Sequence, residues 1–591
     1  MIALEAARNV NSQFEPRALA LDEVARYCRL LFFLPFSALA NKAIVKTNSF
    51  ERISDTLVLR ESDQAARTGL GPCAARVIAK IFACLLIVGV WHEAGLAADP
   101  NTPDQALETR IQGLIPDIER YITSGMKSFD VPGLAIGIVA NDKLVYGKGF
   151  GVRAKEGGGT VDTKTVFQIG SATKAFLGTT LAIMVDRGRF KWDDRVVDLY
   201  PDFQLKDPWV TREFRVFDLI AQRSSLPPYA NDMLGMVGVS ETDMIRSLRY
   251  VEPVSSFRST FAYTNITHVL AGRIVAKAAG AADWNTVLRQ ELLEPLGMKD
   301  SSYTAAAIAT ASNHAEGYRW SPQGTVAVPF TQLFPYDFAG AGDINSTIED
   351  TARWVRFQLS NGTFEGRRLV SPENLAQTRT PKVALNDRVF YALGWVVQQT
   401  PKGNIIWHNG GTTSFGAYVG FAPETGVGVI ILTNESNVGF PDALGLWTFD
   451  RLLGNPSVDH VAKTLEAAKA KYEGMQKQFA KPNKPRPSPP LASLAGNFAN
   501  GSFGKALVRP EGDALTMDLQ ATGAQFKLEP WDGDVFAVRV IPNGRFSAMA
   551  QNLGDEPSGL AQFQADAAGK PAVLRITLED GQAYDFRREA K

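Results

Sequence analysis

From Ala172 to Val185 the chain is apolar on nearly every side of a helical turn, with a stop at Gly188. Such a helix has no polar face to offer water, so it lies buried and the rest of the fold is built around it. Its first turn nevertheless reads Ser171-Ala172-Thr173-Lys174. Residues i and i+3 share a helix face, so Lys174 reaches the Ser171 oxygen. A serine alone is a poor nucleophile near neutral pH and needs a base beside it. A Ser-x-x-Lys tetrapeptide turns up about once or twice by chance in a chain this long, so partners elsewhere must decide its meaning.

Composition narrows the field. At 591 residues the chain holds more than one domain and buries a large core. Lys+Arg and Asp+Glu both number 62. Zero net charge supplies no basic field for nucleic acid, which points to a small-molecule or short-peptide substrate. The three cysteines, Cys28, Cys73 and Cys84, all precede residue 85. The main body therefore has no disulfide framework or cysteine-based metal site. A thiol-free body also suits an oxidising compartment.

Export has a stronger signal. Arg76-Val77-Ile78-Ala79-Lys80 leads into the apolar run Ile81–Trp91, and small residues follow at Ala94-Gly95-Leu96-Ala97-Ala98. That is the pattern of a signal peptide over 76–98. The run falls short of the ~20 apolar residues of a spanning helix, so no integral membrane span is expected after cleavage. Residues 1–68 contain no glycine in a chain with 51, where about five would be expected. Residues 1–75 are accordingly read as a mis-assigned or disordered leader, and the protein as periplasmic or extracellular.

Leu107, Ile111, Leu114, Ile115, Ile118 and Ile122 recur at helical spacing, which predicts an amphipathic helix to about Met126. Leu134–Val139 and Leu144–Phe150 read as two strands joined at Asn141-Asp142. A mostly helical insert follows. Strands return at Tyr391–Gln398, Ile405–His408, Gly416–Phe421 and Val427–Leu432, before a closing helix over Asp442–Leu453. The order predicts an α+β fold, with one antiparallel sheet assembled from both ends of the domain and flanked by helices. Over 456–490 a charged helix, Leu465–Phe479, and the proline-rich run Lys481–Pro490 read as a linker. Beyond it, alternating segments such as Ala514–Leu519, Val535–Val540 and Val573–Leu578 predict a small all-β barrel or sandwich over 491–591.

Two further motifs follow the Ser-x-x-Lys in order. Tyr263-Thr264-Asn265 opens the helical pattern Ile266–Gly272, and His408-Asn409-Gly410-Gly411 ends a strand. With Asp193-Asp194-Arg195-Val196, Glu294-Pro295-Leu296-Gly297-Met298, Tyr391-Ala392-Leu393-Gly394-Trp395 and Ile431-Leu432-Thr433-Asn434, residues 106–455 resemble the serine β-lactamase and penicillin-recognising superfamily, in its class C-like branch. Leu494-Ala495-Gly496-Asn497-Phe498 resembles the start of the lipocalin-like domain appended to some of these peptidases and esterases.

The resemblance implies roles residue by residue. Ser171 is the nucleophile of an acyl-enzyme. Its backbone N–H and that of Gly411, on an edge strand, hold the oxyanion, with glycine allowing close backbone approach. Lys174 and Tyr263 share proton transfer, and either could be the acylating base. Asn265 binds the acyl amide, while His408 and Gly410 line the substrate site. β-Lactamases of this branch usually carry lysine at the His408 position. An imidazole of ordinary pKa gives weaker, pH-dependent carboxylate binding, which shifts the expected substrate from antibiotics to D-residue peptides or esters. A second departure is Gln222-Arg223-Ser224-Ser225-Leu226-Pro227, where relatives often read His-x-Ser-Gly-Leu-Pro. His268 is read as structural. No paired His or His/carboxylate spacing suggests a metal, and no cofactor is expected.

The expected function is an exported serine hydrolase cleaving a small amide or ester, with a carboxylesterase and a slow-deacylating penicillin-binding sensor as alternatives. The C-terminal domain is a candidate surface for homo-oligomers.

Overall fold

The computed structural model describes residues 103–590, apart from 457, 555, 579 and 580. The expected leader and signal peptide lie outside the described residues.

The amphipathic helix α1 spans Pro103–Phe129. It leads into the hairpin β1 (Gly133–Ala140) and β2 (Lys143–Gly151). Asn141 and Asp142 turn this hairpin with φ of 50° and 56°, the left-handed pair that a type I′ turn requires. Every residue of β1 is buried, so the sheet is covered on both faces.

The other sheet strands come from far along the chain. They are β3 (Val383–Ala384), β4 (Val389–Tyr391), β5 (Val396–Thr400), β6 (Gly403–Gly411), β7 (Gly416–Ala422) and β8 (Val427–Thr433). The order is β2-β1-β8-β7-β6-β5-β4-β3. β1 pairs antiparallel with β8, from Leu134↔Thr433 to Val139↔Gly428, which joins the two ends of the domain as expected.

Alternation along β1 splits the core. Leu134, Ile136 and Ile138 pack with α1 residues Ile111, Ile118 and Ile122 and with the closing helix α6 (Phe440–Leu453). Ala135 and Val139 face the other layer, which holds α2 (Thr173–Asp186), α4 (Ile266–Ala279) and α5 (Ile348–Leu359). The short helix α3 (Asp232–Met236) lies in the insert between α2 and α4. Residues Thr173 through Met184 of α2 are all buried, which makes it the central helix its composition predicted.

The segment read as a linker behaves differently. Helix α7 begins at His460 and runs to Gln478, five residues ahead of the expected start. It packs on the hydrolase body: Tyr121 Oη donates to Asp459, and the Tyr472 ring meets Trp320 edge-on. The proline-rich run is also tied down, with Arg486 N donating to Asp532 Oδ1 at 2.8 Å.

The C-terminal strands close an eight-stranded barrel. They are β9 (Gly496–Asn500), β10 (Gly504–Glu511), β11 (Ala514–Leu519), β12 (Gln525–Asp532), β13 (Val535–Val540), β14 (Gly559–Ala565), β15 (Pro571–Leu578) and β16 (Ala583–Arg588). Closure removes the exposed edges that a small open sheet would leave. Phe498, Phe536 and Phe563 meet edge-on in its interior.

Candidate active site

The chain enters α2 through a tight turn at Gly170–Ala172, so Ser171 sits just before the helix and not within it. Lys174 follows on the first turn with 0 % exposure. Its Nζ lies 3.0 Å from Ser171 Oγ and donates to Asn265 Oδ1 and the Ala341 carbonyl, each at 2.7 Å. The same Nζ stands 4.7 Å from the centre of the Tyr263 ring. Ser171 and Lys174 thus meet Tyr263 and Asn265 from a second segment and the Ala341 carbonyl from a third.

Electrostatics separate the two candidate bases. Burial pushes the Lys174 ammonium down to about 7, against the opposing pull of the Asp232 and Asp343 carboxylates. Burial drives the Tyr263 phenol well above its ordinary range, helped by Tyr391, with only the hydrogen bond to Ser171 acting the other way. A phenolate is therefore strongly disfavoured while a neutral amine is accessible at neutral pH. A neutral amine has two protons and one lone pair. Two carbonyl oxygens take the protons, which leaves the lone pair for Ser171.

β6 supplies the opposite wall. By sheet order it is an interior strand and not the expected edge. Its pairing with β5 ends at Val396↔Trp407, however, while pairing with β7 continues to Gly411↔Gly416. Residues 408–411 therefore run past the end of β5. Thr412 N donates to Phe415 O within the β7 turn, so strand alternation points the Gly411 N–H away from β7. The backbones of the nucleophile turn and β6 touch. A Cβ on Gly170 would lie 2.8 Å from Gly411 N, and one on Gly410 would lie 1.8 Å from Ile169 O. The close contact between the two backbones is made at Gly410, whereas a Cβ on Gly411 would meet only Asn437 Cβ at 3.3 Å.

His408 departs furthest from expectation. It is 1 % exposed. Its Nδ1 lies 2.6 Å from the Asn409 carbonyl and its Nε2 2.9 Å from Tyr391 Oη. The carbonyl only accepts, so Nδ1 carries the proton and Nε2 accepts from the tyrosine. Burial, with the Lys174 charge second, holds this imidazole down to about 3. It stays neutral through the physiological range with both nitrogens occupied, so the pH-dependent carboxylate contact expected of it is not available. His268 is likewise buried, with Nδ1 3.1 Å from Thr264 O.

The site opens into a cleft of about 890 Å³ lined by Ser171, Tyr263, Asn265, Asn409 and Gly411, and it extends to Lys471 and Tyr472 on α7. Tyr229, 48 % exposed, forms one wall 5.5 Å from the Tyr263 ring.

Comparison with known proteins agrees with this geometry. The sequence profile of the beta-lactamase family matches residues 118–451, and that of a domain of unknown function (DUF3471) matches 480–588. The chain belongs to the beta-lactamase family. It is a serine hydrolase of that family. Relatives include the unguisins hydrolase ungD of Aspergillus violaceofuscus, 26 % identical over 78 % of this chain and 88 % of that protein. Penicillin-binding protein 4 of Amycolatopsis lactamdurans is 26 % identical over 62 % of this chain and 93 % of that protein. The octameric penicillin-binding protein homologue from Pyrococcus abyssi shares the fold with a TM-score of 0.52 at 22 % identity, over 80 % of this chain and 99 % of that one.

Several residues of this beta-lactamase-family site escaped sequence reasoning. Asp232 Oδ2 accepts from Asn265 Nδ2 at 2.5 Å, so the amide that contacts Lys174 is itself oriented by a carboxylate. The departure at Gln222 is structural, since its Oε1 accepts from Thr264 N at 2.7 Å and holds the Tyr-x-Asn loop in place. Asp218, fully buried, pairs with Arg223 and Arg258 and ties that loop to its neighbour. Asp442 receives Asn409 Nδ2 at 2.6 Å and Asn437 Nδ2 at 3.0 Å, and Asn437 also donates to the Gly410 carbonyl. None of these carboxylates lies in a local pattern; only the order of the family's motifs hints at where to look. Asp442→Asn replaces one of the two accepting oxygens with an N–H₂ that faces a donor. It is expected to cost about 1–3 kcal/mol, read as a lower melting temperature in thermal denaturation.

Proposed function

We propose that the protein hydrolyses small amides or esters through an acyl-enzyme on Ser171, with Lys174 as the acylating base. The observation that carries this reading is the buried Nζ 3.0 Å from Ser171 Oγ, with its other two neighbours both carbonyl oxygens. Lys174 takes the Ser171 proton as Oγ attacks the substrate carbonyl carbon. The developing oxyanion is held by the Ser171 and Gly411 N–H groups. Tyr263, kept as a phenol, relays the proton to the leaving amine or alcohol, and water then cleaves the acyl-serine to release the acid and restore Ser171.

Substrate preference follows from charge. Beside the nucleophile the cleft offers the Asp232 carboxylate, while His408 is neutral and occupied. A substrate carboxylate near the scissile bond meets the Asp232 carboxylate, whereas an uncharged ester or a peptide with a free amino group meets no such repulsion. This favours a D-residue peptide or related ester over a β-lactam. Export is part of the same reading, and self-association has a precedent in the octameric Pyrococcus abyssi homologue.

The test is turnover of a p-nitrophenyl ester, a D-alanyl p-nitroanilide and a chromogenic cephalosporin, with Ser171→Ala alongside. Ester and amide turnover that vanishes in Ser171→Ala is the expected result. Ester turnover alone selects the carboxylesterase, and a stable adduct without turnover selects the penicillin-binding sensor. Activity that survives in Ser171→Ala overturns the reading.

A further inference from the structure

Among the described residues, the barrel's side chains wall a cavity of about 30 Å³, lined by apolar groups including Phe503, Met517, Phe526 and Val538. That is room for a water or two, far below the ~300 Å³ at the lower end of ligand pockets. One lining side chain, Met233, comes from outside the barrel. It belongs to α3, next to Asp232, and enters at the end where the connections around 501–503, 520–524, 541–554 and 581–582 emerge.

That same barrel end grips the catalytic loops. Gln582 Nε2 donates to Pro228 O at 2.8 Å and Arg545 Nη2 to Gly238 O at 3.3 Å, which brackets α3 on both sides. Asn552, oriented to satisfy its surroundings, accepts from Thr413 Oγ1 and donates to Pro329 O, each at 3.3 Å. Thr413 lies two residues beyond Gly411, and Pro329 begins the loop that reaches Ala341.

The gripped loop has little regular structure of its own. α3 is a helix of five residues, too short to be stable alone. The segment before it carries four non-glycine residues in left-handed backbone, Gln222, Ser225, Tyr229 and Asn231, at φ of 54° to 72°. Such conformations persist only where surrounding structure enforces them.

We propose that the barrel is a clamp on the active site: Met233, inserted into its mouth, is a positioning residue that fixes Asp232 and, through Asn265, the Lys174 amine beside Ser171. The links are covalent from Met233 to Asp232, then 2.5 Å to Asn265 and 2.7 Å to Lys174. The clamp rests on the acyl-enzyme reading for its effect on rate but not for its effect on the loop.

The test compares Met233→Ala and Met233→Leu with the parent in the full chain, by hydrogen exchange, by ester kinetics and by fluorophosphonate labelling of Ser171. In Met233→Ala, exchange is expected to rise over residues 226–238 while α2 stays protected. The kcat is expected to fall by about ten- to a hundredfold with KM little changed, as misplacement of a catalytic group does. Lys174 faces Asp232, Asp343, His268, His408 and Tyr263. Loss of the Asp232 carboxylate from this set makes the ammonium less favourable, so the low-pH limb of kcat moves to lower pH. Met233→Leu, which still fills the mouth, is expected to restore all three within about threefold, as volume-conserving swaps do. Unchanged exchange over 226–238 overturns the clamp, as does a loosened loop with parental kcat and pH limb. Failure of the acyl-enzyme reading looks different: the parent itself then takes no label at Ser171.

Discussion

Lys174→Met is expected to lower kcat/KM for an activated ester by about 10²–10⁴-fold, the range lost with a general base. The amine has no substitute nearby. Both His408 nitrogens are committed to internal partners, burial holds the His268 imidazole well below its ordinary range, and Tyr263 is held as a phenol by burial. Folding should be affected much less. Methionine leaves the Asn265 and Ala341 oxygens without their donor, which offsets what is gained by removing a desolvated amine. The melting temperature is therefore expected to stay near that of the parent. The parent's pH dependence carries the same assignment. With Lys174 held down to about 7, its neutral fraction falls tenfold per pH unit on the acid side. The kcat/KM is expected to rise with unit slope up to about pH 7 and then level. A profile flat from about pH 5 to about pH 8 would remove Lys174 from the role of base.

Gly410→Ala is expected to lower kcat by about 10²–10³-fold, the loss associated with displacing one oxyanion donor. The added methyl would lie 1.8 Å from Ile169 O and 3.2 Å from Ser171 N, both fixed backbone atoms. β6 must move away from the nucleophile turn, and the two N–H groups part. Gly411→Ala is the matching control. There a Cβ would meet only the Asn437 Cβ at 3.3 Å, so most of the activity should remain. Steady-state kinetics of the pair decides the matter. Equal losses would show that the close approach at Gly410 has no bearing on rate.

The two expectations differ in how they were reached. Lys174 could be named from the chain because a helical turn, 3₁₀ or α, puts i and i+3 on one side whatever surrounds it. Gly410 could not, because its constraint comes from Ile169, more than two hundred residues away. His408 shows the same limit. Its place in a strand ending was legible, but its burial against Tyr391 was not, and burial moved its pKa by more than any neighbour in sequence could.

By itself the sequence determined the buried helix, the Ser171–Lys174 pairing, the antiparallel sheet closed by β1 and β8, and the all-β C-terminal part. Periodicity and local spacing encode these, since side-chain alternation and helical pitch act over a few residues. Only the tertiary structure decided that burial lowers the Lys174 ammonium and raises the Tyr263 phenol, that Asp232 orients Asn265 and Asp442 holds Asn409 and Asn437, that α7 packs on the body, and that Met233 lines the barrel's cavity. These depend on desolvation and on contacts between distant segments, and a chain acquires neither until its core has closed.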